Sequence, residues 1–199
     1  MSIVENLKNT ISTTNAAMLE IKKQMDANKA RYSEYIAANE NAKLRARADE
    51  IISTARKSIE EAYSAAVKDL DKWTRLDGAQ VTDDVKLLSG AFDLSAGDVA
   101  RLLIKHQSSP TMTNAILRYA NEHKIPHLAP SMETRHICLD ELHEAAIGRV
   151  NRIDAECGID PFYIDQWPGM GFMDAAKDRC FNGLSEENMI IDAGEGDGE

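Results

Sequence analysis

The sequence predicts an all-α protein, and three observations predict it. The first 77 of its 199 residues contain neither glycine nor proline, the two residues most costly inside a helix. Apolar residues in that stretch recur in alternating steps of three and four, the spacing of one helical face. Beyond it, serine caps, a proline at a first helical position and terminal glycines mark off several shorter helices. The expected architecture is a long N-terminal helix or helical hairpin of coiled-coil type. A small orthogonal helical bundle follows, then a further helix and an irregular aromatic C-terminal segment.

The N-terminal segment, residues 1–77, would reach ~110 Å as one continuous helix at 1.5 Å per residue. Val4, Leu7, Ile11, Thr14, Met18, Ile21 and Met25 form a heptad seam, which Asn28, Tyr32 and Tyr35 continue more weakly. Past the polar run 38–43 the rhythm changes. Leu44, Ala48, Ile51, Ala55, Ile59, Ala62, Ala66, Leu70 and Trp73 follow an eleven-residue period, which favours a straight or slightly right-handed bundle. Asn39 and Asn41 mark the place where the chain would turn back into a hairpin. Trp73 and Leu76 would dock on the next domain. A narrow apolar seam on a long helix must be covered by another helix, from the same chain or from a second copy. One rod and two legs are both compatible with the spacing. Thr14 and Asn28 at seam positions would weaken a coiled coil while fixing its register.

Gly78 ends this region, and residues 78–125 read as a three-helix module. Thr82 can cap a short helix carrying Val85, Leu87 and Leu88, stopped by Gly90. Ser95 with Asp98 makes a capping-box variant opening a second helix with Val99, Leu102, Leu103 and Ile104. Ser109 followed by Pro110 opens a third, with Met112, Ile116, Leu117 and Tyr119, ending before Pro126. Residues 126–190 hold a loop with Pro126 and Pro130 and a helix capped at Ser131. That helix is striped by Leu139, Leu142, Ala146, Val150, Ile153 and Cys157 as far as Gly158. An aromatic stretch follows, with one short helix near 174–181. The Gly/acidic tail 191–199 reads as disordered.

Composition narrows the function. The net charge is −10, with residues 1–77 nearly neutral and the acidity concentrated behind them. Phosphate contacts need cationic surface, so a dedicated nucleic-acid binder is disfavoured. No apolar run of 18 residues suits a membrane span, and the N-terminus lacks a secretory pattern, which points to cytoplasmic synthesis. Cys138, Cys157 and Cys180, without CxxC spacing, read as reduced packing residues.

Candidate chemistry is thin. Glu133, His136, Asp140, His143 and Glu144 contain metal-ligand residue types, but one helix cannot supply the facing carboxylates of a bundle metal site. They read as a solvated polar face. The helix pair at 96–123 has helix-turn-helix spacing, with Asn114, Arg118, Asn121 and Lys124 on its second member. Lys43, Arg45, Arg47, Arg56 and Lys57 alternate with Asp49, Glu50, Glu60 and Glu61, the pattern of an ion-paired face. His136 and Cys138 are two apart on a helix and do not face each other. Residues 167–172 carry two glycines but no lysine to cradle a phosphate. Phe162, Tyr163, Trp167 and Phe172 either pack on the bundle or form an exposed hook for a partner. No catalytic constellation, cofactor site or metal site emerges, and the expectation is a non-enzyme.

The run 81–123 behind a long charged helix resembles small uncharacterised proteins of tailed phages and prophages of Gram-positive bacteria that accompany capsid and scaffold components. Asp83, Asp84, Lys86, Leu87, Leu88, Thr111, Met112, Ile116, Tyr119 and Ala120 carry the likeness, which covers about residues 42–123. It implies a virion-assembly protein that self-associates and docks on capsid or portal proteins, in the host cytoplasm and the virion. Self-association would use Val4, Leu7, Ile11, Met18, Ile21, Met25, Leu44, Ile51, Ile59, Leu70 and Trp73, and docking the 162–172 aromatics. A regulatory DNA-binding prophage protein using the 96–123 pair is the alternative.

Overall fold

The computed structural model describes residues 3–72 and 75–157, together with Cys180 and Leu184. All regular structure among the described residues is helical: α1 (Ile3–Arg31), α2 (Glu34–Lys72), α3 (Ala96–Lys105), α4 (Pro110–Glu122) and α5 (Met132–Glu156), with 3₁₀ turns at Gly78–Gln80 and Asp83–Leu88. The chain divides after Val67 and again after His136. Residues up to Val67 and α5 from Ile137 form one unit, and Lys68–His136 belong to the other.

In the first unit the N-terminal segment is a hairpin, not a rod. The break falls at Tyr32–Ser33, earlier than the expected 39–41. Ser33 stands just before α2, where serine is favoured because it can serve backbone donors left open at a helix start. Asn41 is not the bend but the clamp beside it. Its amide donates to the Met25 carbonyl at 3.3 Å, and its Oδ1 accepts from Asn28 at 3.0 Å. The polar seam residues therefore fix the register of the two legs, a role otherwise given to buried asparagines in coiled coils.

The seam of α1 forms as spaced. Val4, Leu7, Ile11, Thr14, Met18 and Ile21 are all buried, with Met18 fully enclosed. On α2 the buried set is Ala37, Ala48, Ile52, Ala55 and Ile59. Ile52 replaces Ile51 in the core, so the steps become 4, 3 and 4 from Ala48 to Ile59, and Ala37, Ala48 and Ile59 keep the eleven-residue spacing. The adjacent isoleucines made both choices possible in sequence.

α5 belongs with this hairpin, not with a contiguous C-terminal domain as the sequence was divided. Its stripe, Leu139, Leu142, Ala146, Val150 and Ile153, is almost wholly buried. Polar pairs run antiparallel along α2, from Arg56 with Asn151 and Asp154 to Tyr63 with Asp140. A two-helix hairpin would leave one side of its seam wet, and α5 supplies the third wall.

The second unit is a small bundle of α3 and α4 braced by the two 3₁₀ turns. Val99, Leu102, Leu103, Ile116, Ala120, Ala129 and Leu184 form its core, with Leu87, Leu88 and Leu94 packed against it. The sequence punctuation is realised for both helices. Ser95 Oγ accepts from the Asp98 amide and Asp98 accepts from the Ser95 amide, a complete capping box. Ser109 caps α4 with Pro110 at its first turn. α4 closes in a Schellman motif, with the Ile125 amide reaching the Ala120 carbonyl at 2.8 Å and Lys124 at φ 57° where glycine is usual. Residues 83–88 form a 3₁₀ turn in place of the expected α-helix, and the Thr82 side chain makes no cap bond. Leu76, expected to dock, is 75% exposed.

Candidate functional site

The expected self-association residues lie mainly inside one chain. Val4, Leu7, Ile11, Met18, Ile21 and Ile59 are buried in the three-helix unit, and Met25, Leu44 and Leu70 are half-buried. Side chains enclosed this way cannot also face a second copy, so of the two covers the spacing allowed, the same chain or a second copy, the α1 seam has the first. Trp73, the aromatics Phe162, Tyr163, Trp167 and Phe172, the short helix near 174–181 and the tail 191–199 lie outside the described residues.

What the first unit leaves open is a groove between α1 and α2 of about 630 Å³. The α1 wall is Asn6, Asn9, Thr10, Thr13 and Ala17; the α2 wall is Arg47, Glu50, Ile51, Thr54 and Ser58. Both walls repeat at steps of three and four, so the hairpin carries a second seam of small and polar residues beside its apolar one. At ~100° per residue the groove residues of α2 lie about opposite Arg56, Glu60 and Tyr63, which meet α5. The threonine hydroxyls are already spent within the helices: Thr10 donates to the Asn6 carbonyl, Thr13 to Asn9, Thr14 to Thr10 and Thr54 to Glu50, at 2.7–3.0 Å. Arg47 and Glu50 form no ion pair among the described residues.

The α2–α5 rim engages polar residues that the sequence placed in solvent. Tyr63 donates to Asp140 Oδ1 at 2.7 Å, and its ring lies 4.4 Å from that of His143. His143 Nε2 meets Glu60 Oε1 at 2.8 Å. The bond to Asp140 raises the Tyr63 pKa above its ordinary value, with burial and the nearby carboxylates adding to it. Among the described residues no three His, Cys, Asp or Glu side chains converge as metal ligands. The missed signal was on α2, where Arg56, Glu60 and Tyr63 flank the apolar stripe at coiled-coil spacing. Such exposed pairs contribute about 0–1 kcal/mol each, which makes the rim a register device more than a source of stability.

In the second unit the residues carrying the phage-protein likeness are architectural. Met112, Ile116 and Ala120 are fully buried, Tyr119 donates to the Phe92 carbonyl, and the Thr111 hydroxyl accepts from the Asp77 amide. Asp83 pairs with Lys86. Asp84 receives Lys105 at 2.6 Å and the buried His106 at 2.7 Å. Lys105 first, and then His106, hold the Asp84 pKa below its ordinary value. A depressed folded pKa stabilises the fold above the ordinary carboxylate value, about 3.9, and that contribution is lost as pH falls through the folded value. Urea unfolding of wild type and Asp84→Asn should therefore show a gap in midpoint at pH 5 that closes as pH falls from about 4 towards 2. A gap that widens on acidification would refute the assignment.

The α3–α4 pair has the helix-turn-helix spacing expected, with Asn121 and Lys124 exposed at the end of α4. The first turn of α4, where base contacts are made in such motifs, is packed at Thr111, Met112 and Thr113, and Arg118 is held by Glu122 at 2.8 Å. No helix among the described residues is long and apolar enough to cross a membrane. Comparison with protein-family models, curated proteins and solved structures finds no match to this chain.

Proposed function

We propose that this chain is a non-enzymatic assembly protein, of the kind that accompanies capsids in tailed phages and prophages. It acts through helix-mediated self-association and docking on other structural proteins. The observation that carries the reading is large apolar surface left uncovered on otherwise well-packed helical units. Tyr35 is 78% exposed at the hairpin turn, with Tyr32 and Ile36 beside it, and Phe92 and Leu76 are more than half exposed in the second unit. Neither core needs these side chains, and clustered exposed apolar groups mark association sites. The resemblance of 81–123 to phage proteins supplies the biological setting, and several modest contacts on one chain would give assembly through avidity.

Sedimentation velocity of the full chain across a concentration series tests this. The expected result is a weight-average mass that climbs above the 22.0 kDa protomer with concentration. A species that stays at the protomer mass into the millimolar range would overturn self-association. Portal, protease and major capsid genes beside this one would support the phage setting, and an integrase or repressor would argue for regulation.

A further inference from the structure

We infer that the α1–α2 groove seats a second copy of this chain, docked about a two-fold axis that sets Arg47 of one copy opposite Glu50 of the other. This rests on the self-association reading and specifies its surface.

The groove has the dimensions of a helix. Its α1 wall runs from Asn6 to Ala17, about 17 Å or three turns at 1.5 Å per residue. Between Arg47 and Glu50 at one end and the asparagines at the other its lining is mostly small, with Thr10, Thr13, Ala17, Thr54, Ala55 and Ser58, so a helix backbone can come close there. The Thr10, Thr13 and Thr54 hydroxyl protons are committed to their own helices and are not stranded when covered, while the side-chain amides of Asn6 and Asn9 and the Ser58 hydroxyl are donors that the docking helix must meet.

Charge selects the occupant. Arg47 and Glu50 both line the groove, three residues apart on α2, and neither has an ion-pair partner among the described residues. A docking helix that brings an acid to Arg47 and a base to Glu50, in reversed order, complements both charges. α2 of another copy, running antiparallel, does this at the same spacing. A two-fold interface is self-complementary in the same sense, since residue i meets j and j meets i. α5 covers the opposite flank of α2, so the protomer need not open for the second copy to dock.

The test exchanges the charges on the full-length protein and reads mass by sedimentation equilibrium and native mass spectrometry. Arg47→Glu makes an all-acidic groove and Glu50→Arg an all-basic one; both positions are exposed, and matching circular dichroism confirms folding. Each variant should dimerise at least tenfold more weakly than wild type. An equimolar mixture should recover wild-type affinity as a heterodimer containing one copy of each, because like charges would then face opposite ones. Wild-type dimers that tolerate both variants, or a mixture that gains nothing, would overturn the groove while leaving self-association standing. A wild-type chain that never dimerises would overturn the functional reading itself, and the groove with it.

Discussion

Leu142→Ala should destabilise the three-helix unit by about 2–5 kcal/mol, the range for emptying a buried leucine site. Leu142 is 1% exposed in the middle of the α5 stripe, between Leu139 and Ala146, and its loss leaves a cavity facing the hairpin seam. The effect should be read by urea unfolding together with hydrogen exchange of α1, α2 and α5 amides, because the claim concerns which helices share a core. Exchange should accelerate in all three. Ile137, 51% exposed on the same helix, is the internal control, and its replacement by alanine should change stability by about 0.5 kcal/mol or less. Equal effects at the two positions would mean that α5 does not wall the seam.

Ile116→Ala should have a comparable effect, about 2–5 kcal/mol, in the second unit. Ile116 is fully buried in the cluster with Val99, Leu103 and Ala120, where α3 and α4 meet. The bundle is small, and a single cavity removes a large share of the apolar contact that joins its helices. Amide exchange at Leu103 and Ala120 should approach that of the exposed turns. Protection that survives the substitution would show that the helix caps and 3₁₀ braces, not the apolar cluster, hold the unit together.

Much of this fold was legible because its signals are local. Ser95 with Asp98, and Ser109 with Pro110, act within one helical turn, and the structure contains both caps where the residues place them. The α1 seam was equally plain, since Leu7 and Ile11 have only polar immediate neighbours and Met18 continues their spacing. Ile51 and Ile52 were ambiguous because either isoleucine fits the eleven-residue span from Ala48 to Ile59, and only packing decides between them. The turn at Tyr32–Ser33 was hidden for a related reason. No glycine or proline marks it, and the asparagines that seemed to weaken the helix instead tie its two legs together. The rim of Tyr63, Glu60, Asp140 and His143 was unreadable from α5 alone, because polar residues at these spacings look the same facing water or facing α2. The groove was hidden because its charged members, Arg47 and Glu50, read as part of an ion-paired face and the rest are small. Threonines, alanine and serine at heptad steps announce a close approach once two helices are known to lie side by side.

The central claim is that the first seventy residues close their apolar seam within one chain. Spin labels introduced as unnatural amino acids at Lys8 and Glu61, both exposed, measure this directly by pulsed dipolar spectroscopy. Labelled chain diluted into an excess of unlabelled chain reports intramolecular distances. The hairpin predicts a separation under about 25 Å, one interhelical spacing of 8–10 Å plus the label arms. A separation near ~80 Å, the length of 53 residues of continuous helix at 1.5 Å each, would contradict it.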